Sequence, residues 1–184
     1  RNIRIVEEGV DVAVRIGPLA DSSLRAVPLG SVQPVLVTSP DYVARHGAPQ
    51  DPADLAGHAL IASTGPRGGG EWRFAGRREG PARARLAVNT VGAALAAAEA
   101  GVGIANLLSY QVAGALAAGR LVEVLPGHRP DPLPVSLLIE PGRIDTAAVR
   151  AFIAAMRDRA RGGGWNQAVS ATRSAPEEAP VLPS

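Results

Sequence analysis

Glu7-Glu8-Gly9-Val10-Asp11-Val12-Ala13 and Glu99-Ala100-Gly101-Val102-Gly103-Ile104-Ala105 carry Glu, Gly, Val, a β-branched residue and Ala at the same five offsets. Each stretch reads as a helix end, a glycine cap and a strand, because glycine takes a positive φ without a Cβ clash. Two such joints are either copies of one α/β lobe or a coincidence, since helix–glycine–strand joints are common in α/β folds. If they are copies, the chain holds two related lobes. The second copy is fed by a strand at 84–88, so the first should be preceded by one as well. On that reading Arg1 lies inside a lobe whose opening strand and helix are missing, and the chain as given should bind an effector weakly or not at all.

Outward from these joints, punctuation divides the chain. Residues 10–16 are apolar and β-branched, as in a buried parallel strand, and Gly17-Pro18 stops them. Residues 24–29 form a second strand ended by Gly30. A third, 34–38, runs into Ser39-Pro40-Asp41, where Ser39 is an N-cap and Pro40 a first helical residue, for a helix to about His46. Asp51-Pro52-Ala53-Asp54 repeats that signal for one helical turn, and residues 59–62 are a strand leaving Ser63-Thr64 at its end. A loop at 66–70 follows, then strands at 71–74 and 84–88 joined by an Arg-rich connector. Asn89-Thr90 cap a helix to about Ala100 with Val91, Leu95 and Ala98 on one face.

Residues 102–107 are a buried strand, and Ser109 caps a helix ending at Gly119. Its stripe of Val112, Ala113 and Leu116 suits either a partner or the sheet. Strands at 121–125 and 133–140 come next. Asp145 then caps a helix whose Val149, Phe152, Ile153 and Met156 fall at i, i+3, i+4 and i+7. Residues 162–184 lack periodicity and read as a disordered tail. The organisation expected is a remnant of lobe 1 at 1–31, lobe 2 at 32–132, and a return strand and helix at 133–161 packing on lobe 1.

Composition removes whole classes of chemistry. The 184 residues are 46% hydrophobic, enough for a real core, but only 3% aromatic, so that core is built from Ala, Val, Leu and Ile. All 19 basic residues are arginine. Without lysine there is no Walker A phosphate lysine, kinase strand lysine or Schiff-base amine. The same absence explains a pI of 9.9 beside a net charge of +2: little titrates below the arginine range, so the high pI says nothing about nucleic acid. Zero cysteines exclude disulfides, thiolate nucleophiles and Cys-based metal sites. His46, His58 and His128 are scattered without ligand spacing and read as surface or structural. No signal peptide is visible, and the apolar run at 91–108 is broken by Glu99, Gly101, Gly103 and Asn106.

Several ordered motifs together resemble one family. Residues 7–17 (EEGVDVAVRIG), Asp21-Ser22-Ser23-Leu24, Val37-Thr38-Ser39-Pro40-Asp41-Tyr42, Asp51-Pro52-Ala53-Asp54-Leu55, Ala100-Gly101-Val102-Gly103-Ile104-Ala105 and Val149-Arg150-Ala151-Phe152-Ile153 are similar, in order and spacing, to the effector-binding domain of LysR-type transcriptional regulators. The resemblance covers about residues 3–160. It implies an α/β fold with two lobes, like type 2 periplasmic binding proteins, and a small effector between them. It also implies a winged helix-turn-helix that binds DNA, which these residues do not contain. A cytoplasmic, bacterial homodimer or homotetramer is implied for the full-length protein, with a carboxylate among the effector classes and no membrane or cofactor. The alternative is a solute-binding protein of a transporter.

In open α/β sheets ligands lie beyond the carboxyl ends of strands, where helix N-termini present free N–H groups. Asn89 and Thr90 follow one strand and open a helix, which suits both capping and ligand contact. Ser63, Thr64 and Asn106 are read as ending two other strands, and Arg15 and Gly17 as ending the strand of lobe 1. Arg15 suits either an effector-facing cation or a structural ion pair. Gly101-Val102-Gly103 fails as a dinucleotide fingerprint, because it ends a helix and opens a strand and its third glycine is Asn106. The loop at 66–70 lacks a lysine and a following helix. Arg77, Arg78, Arg83 and Arg85 make a basic patch without a reading helix, better read as a solvated hairpin. No metal site or catalytic constellation assembles, so an enzyme is not expected.

Overall fold

The computed structural model describes residues 10–19, 23–63, 72–74, 77–78 and 84–161. Their elements run β1 (Val12–Ile16), β2 (Arg25–Val32), β3 (Pro34–Thr38), α1 (Pro40–His46), β4 (Leu60–Ser63), β5 (Arg73–Phe74), β6 (Arg77–Arg78), β7 (Leu86–Val88), α2 (Val91–Glu99), β8 (Ile104–Leu108), α3 (Ser109–Ala117), β9 (Val122–Val124), β10 (Leu133–Ile139) and α4 (Ala147–Arg161), with 3-10 turns at Pro52–Gly57, Pro126–His128 and Pro141–Arg143. The expected helix end before Gly9, the loop at 66–70 and the tail at 162–184 lie outside the described residues.

Among the described residues three sheets form, with strand orders β1-β10-β2, β7-β4-β8-β3-β9 and β5-β6. The first is antiparallel throughout, which corrects the reading of residues 10–16 as a buried parallel strand. Among the described residues β1 is an edge strand, and Val14 at its centre is 52% exposed. β2 also runs through Gly30 to Val32. Gly30 takes φ +133, and the pairing register shifts between Val135 and Ser136 to absorb it. On this sheet α4 buries Val149 and Ile153 against Val27, Leu137 and Ile139. Phe152, read as part of that stripe, is 43% exposed. Met156, as expected, and Ala160 beyond it pack partly buried on the same cluster, and the helix starts one residue later than an Asp145 cap predicts. Thr146, not Asp145, receives the Val149 N–H at its Oγ1.

The larger sheet is mixed: β7, β4 and β8 are parallel, and β3 runs against β8 and β9. One face packs Val35, Val37, Ile61, Ala105 and Leu107 against Ala94 and Ala98 of α2 and Val112 and Ala115 of α3. Val112 is fully buried there, so the α3 stripe faces the sheet rather than a partner. The other face packs Leu36, Leu60 and Ile104 against Tyr42, Leu55, Trp72 and Phe74. Small Ala side chains let α2 lie close to the strands on the first face, whose buried cluster holds no aromatic, whereas Tyr42, Trp72 and Phe74 gather on the second, so a core of Ala, Val, Leu and Ile holds for one face only.

Local signals act as expected at α1, where Ser39 Oγ accepts from the Tyr42 N–H at 3.1 Å, and at Pro52–Gly57. There Asp51 accepts from the Ala53 N–H and Asp54 from the Asp51 N–H. The Gln50 and Asp51 N–H groups hold the Asp54 carboxyl below the usual carboxylate range. At α3 the cap differs. Leu108, not Ser109, is the N-cap residue, and Gln111 Oε1 reaches back to the Leu108 N–H at 3.0 Å.

Two histidines attach to one buried tyrosine. The Ala59 N–H donates to the Tyr42 hydroxyl at 2.9 Å, and that hydroxyl faces His58 Nδ1 at 3.2 Å. The His46 ring stacks on Tyr42 with centroids 4.4 Å apart. Tyr42→Phe keeps the ring but strands the Ala59 N–H, and it is expected to lower unfolding free energy by about 1–3 kcal/mol. The urea midpoint reads this, and an unchanged midpoint would remove the hydroxyl from the account.

Candidate functional site

Chain direction fixes which ends of the two large sheets face each other. β2 ends at Val32 and β3 begins at Pro34, so only Gln33 separates the smaller sheet from the larger. Pro34 pairs with Leu108, which places the carboxyl end of β8 at this crossing. β4 and β7 run parallel to β8, so Ser63 and Val88, level with each other, reach the same edge. In the smaller sheet Leu133 pairs with Val32 and Ile16 with Val135. The carboxyl end of β1 therefore lies at the crossing too. The Gly17 N–H bonds the Pro134 carbonyl there at 2.8 Å.

Topology thus brings Ser63, Asn89 and Thr90 to one edge and Arg15 and Gly17 to the edge opposite. Thr90 caps α2, its Oγ1 accepting from the Ala93 N–H at 3.2 Å. Asn89 stands one residue before the cap and is exposed. Capping is therefore the work of Thr90, and the Asn89 amide is left to the edge. The first N–H groups of α2, at Val91 and Gly92, lie beside it, where a helix N-terminus favours negative charge. Gly17 is buried at φ +110, a conformation that tightens the turn out of β1 and that a side chain would strain. Arg15 is half-buried, pairs in register with Ser136 and sits on the face of the sheet away from α4, since Val14 and Leu137 share the α4 face.

Asn106 is a correction. It lies at the centre of β8, opposite Leu36, two residues back from the edge. Alternation also puts it on the Leu36 and Leu60 face of the sheet, whereas Ser63 shares the face of Ile61. These two residues approach a ligand from opposite faces or not together at all. Thr64 lies outside the described residues. Sequence reasoning passed over Gln33, which carries no motif and is distinguished only by what it bonds. Its Nε2 donates to the Pro130 carbonyl at 2.7 Å and the Pro34 carbonyl at 3.0 Å. No cluster of three metal-ligating side chains occurs among the described residues, and among them no helix is long and apolar enough to cross a membrane.

The family model described as the LysR substrate binding domain matches residues 1–161. The chain is 35% identical over 165 residues to an uncharacterized HTH-type transcriptional regulator, YhjC, of Escherichia coli, covering 83% of this chain and 53% of that protein. It is 36% identical over 157 residues to the HTH-type transcriptional regulator PtxR of Pseudomonas aeruginosa, covering 84% and 50%. The chain thus spans about half the length of the curated relatives it matches. Among solved structures it is similar to the regulatory domain of CrgA from Neisseria meningitidis, with a TM-score of 0.70 at 26% identity over 84% of this chain and 77% of that one. It is also similar to full-length AphB, the Vibrio cholerae virulence activator, with a TM-score of 0.70 at 27% identity over 85% and 54%.

Proposed function

This chain belongs to the LysR substrate-binding domain family, and on that premise we propose that it holds a small effector between the facing edges of its two large sheets. The observation that carries the proposal is the convergence at the crossing of the carboxyl ends of β4 and β7, the N-terminus of α2 and the Gly17 turn. The relatives named above are transcriptional regulators, not transport proteins.

The arrangement suits a carboxylate. Its oxygens accept from the Val91 and Gly92 N–H groups and the Asn89 amide, with Ser63 completing that edge and Arg15 supplying the opposing cation. Two lobes, divided at Gln33 between β2 and β3 and again before residue 133, close on the effector, and closure passes to a DNA-binding segment outside this sequence. The role is sensing rather than catalysis, in a cytoplasmic homo-oligomer.

A thermal-shift panel of benzoate, salicylate and short aliphatic mono- and dicarboxylates, run on the full-length polypeptide that carries this chain, tests the class. Asn89→Ala should then leave the melting temperature of the free protein unchanged and weaken the best carboxylate about tenfold or more, as the loss of a hydrogen bond to a charged group predicts. Affinity equal to the parent's would move the site away from α2. A panel that shifts nothing would remove carboxylates from the proposal.

A further inference from the structure

The joint repeated at Gly9 and Gly101 extends into the order of the strands. In the larger sheet β8 pairs with β3, and β3 with β9, both antiparallel. In the smaller sheet β1 pairs with β10, and β10 with β2, again both antiparallel. The row β1-β10-β2 therefore repeats the row β8-β3-β9 in order and direction, with β1 in the place of β8. Beyond β8 the larger sheet continues with β4 and β7, both parallel to it. Beyond β1 the described residues supply no strand.

The outer edge of β1 is open to pairing. The Gly17 N–H points toward β10, where it meets the Pro134 carbonyl. Successive N–H groups of a strand point to opposite edges, so those of Val12, Val14 and Ile16 point outward. The strand has no proline, glycine or bulge to deter a neighbour, and Val14 is 52% exposed. The far edge of the same sheet is the contrast. There β2 carries Pro28 and the irregularity beside Gly30, devices that keep a free edge from pairing.

We infer that the outer edge of β1 seats a further strand, parallel to β1 and supplied by the same polypeptide ahead of this sequence, in the place that β4 holds beside β8. The residues of this sequence ahead of β1 are too few to supply it. A parallel neighbour needs a crossover of a dozen or more residues, and only eleven precede Val12. Since β4 and β7 both come before β8 in the chain, their counterparts come before β1. The regulatory domain of CrgA has length to spare for them, because this chain covers 77% of it. A strand parallel to β1 also delivers its carboxyl end to the crossing, on the side of Gly17 and opposite Asn89. The seat itself does not depend on the effector reading.

Hydrogen exchange on the full-length polypeptide, without ligand, tests the seat. With the strand in place, the amides of Val12, Val14 and Ile16 should exchange within about tenfold of those of Ala13 and Arg15, which face β10. Fast exchange at the three even positions beside slow exchange at the two odd ones overturns the inference. Replacing Val14 by photoreactive benzoylphenylalanine then identifies the occupant. The cross-link should join residue 14 to a peptide ahead of this sequence and leave a product with the mass of one chain. A second copy would pair about a two-fold axis, hence antiparallel, and give a product of two chains. That product, capture of residues 162–184, or no product at all overturns the inference.

Discussion

Alanine at position 103 is expected to destabilise the chain by about 3 kcal/mol or more, the severe end of overpacking. A Cβ built on Gly103 would stand 2.3 Å from the Ala59 carbonyl oxygen and 2.8 Å from its carbon. Both are backbone atoms, and neither is free to retreat. The Ala59 carbonyl accepts from the Ile104 N–H at 2.8 Å, and the Gly103 carbonyl takes the buried Thr38 hydroxyl at 2.9 Å. Moving either strand would break these bonds and the Leu60 to Ile104 register that brings Ser63 to the crossing.

Gly101 is the informative contrast. Its φ of +70 strains any side chain, but a Cβ there would meet the far end of Arg45 at 2.8 Å and Ser39 Oγ at 3.0 Å. The arginine can swing away, so Gly101→Ala should cost about 1–2 kcal/mol, the left-handed penalty alone. Urea denaturation of both variants checks the order. Equal midpoints would show that β8 yields where its packing says it cannot.

This pair of glycines also marks how far the sequence could be read. The joint at Gly101 was legible because a positive φ is a local property with a local residue signature, and the same holds for Ser39-Pro40 and Asp51-Pro52. Both matched stretches do open strands at one offset, β1 five residues after Glu7 and β8 five after Glu99. What was not legible depends on partners distant in the chain. Residues 10–16 look the same whether their neighbour is parallel or antiparallel, and β10 arrives more than a hundred residues later to decide it. Phe152 fits a helical stripe as well as Ala160 does, and only the tertiary packing shows that Ala160 joins the cluster while Phe152 stays 43% exposed. Asn106 looks like a strand end because strand limits follow from pairing with Leu36 and Ile61, not from composition. The candidate site follows the same division: the Asn89-Thr90 helix start could be read directly, whereas the level and face of Ser63 and Asn106 are set by register. Gln33 was invisible, since nothing in Val32-Gln33-Pro34 announces a carbonyl ninety-seven positions away.

Arg129→Leu should cost about 3–5 kcal/mol, the range for leaving one member of a buried ion pair without its partner. Glu123 is the member left behind, and its side chain is only 6% exposed. In the intact protein both its oxygens are held by Arg129, and this bidentate contact raises the arginine pKa further above its ordinary value. The charge is neutralised where it stands, so little of the gain is simple long-range attraction. Replacing both residues tests this division. Glu123→Leu with Arg129→Leu removes the stranded carboxylate along with the pair, and most of the lost stability should return, since apolar replacements of a buried pair are often neutral. Urea midpoints of the two single variants and the double variant close the cycle. A double variant as unstable as Arg129→Leu would mean that the pair's worth lies in the path of the chain rather than in its charge. That path is demanding: four residues before Arg129, the buried Leu125 sits at φ +53, so the turn out of β9 is strained and has to be held.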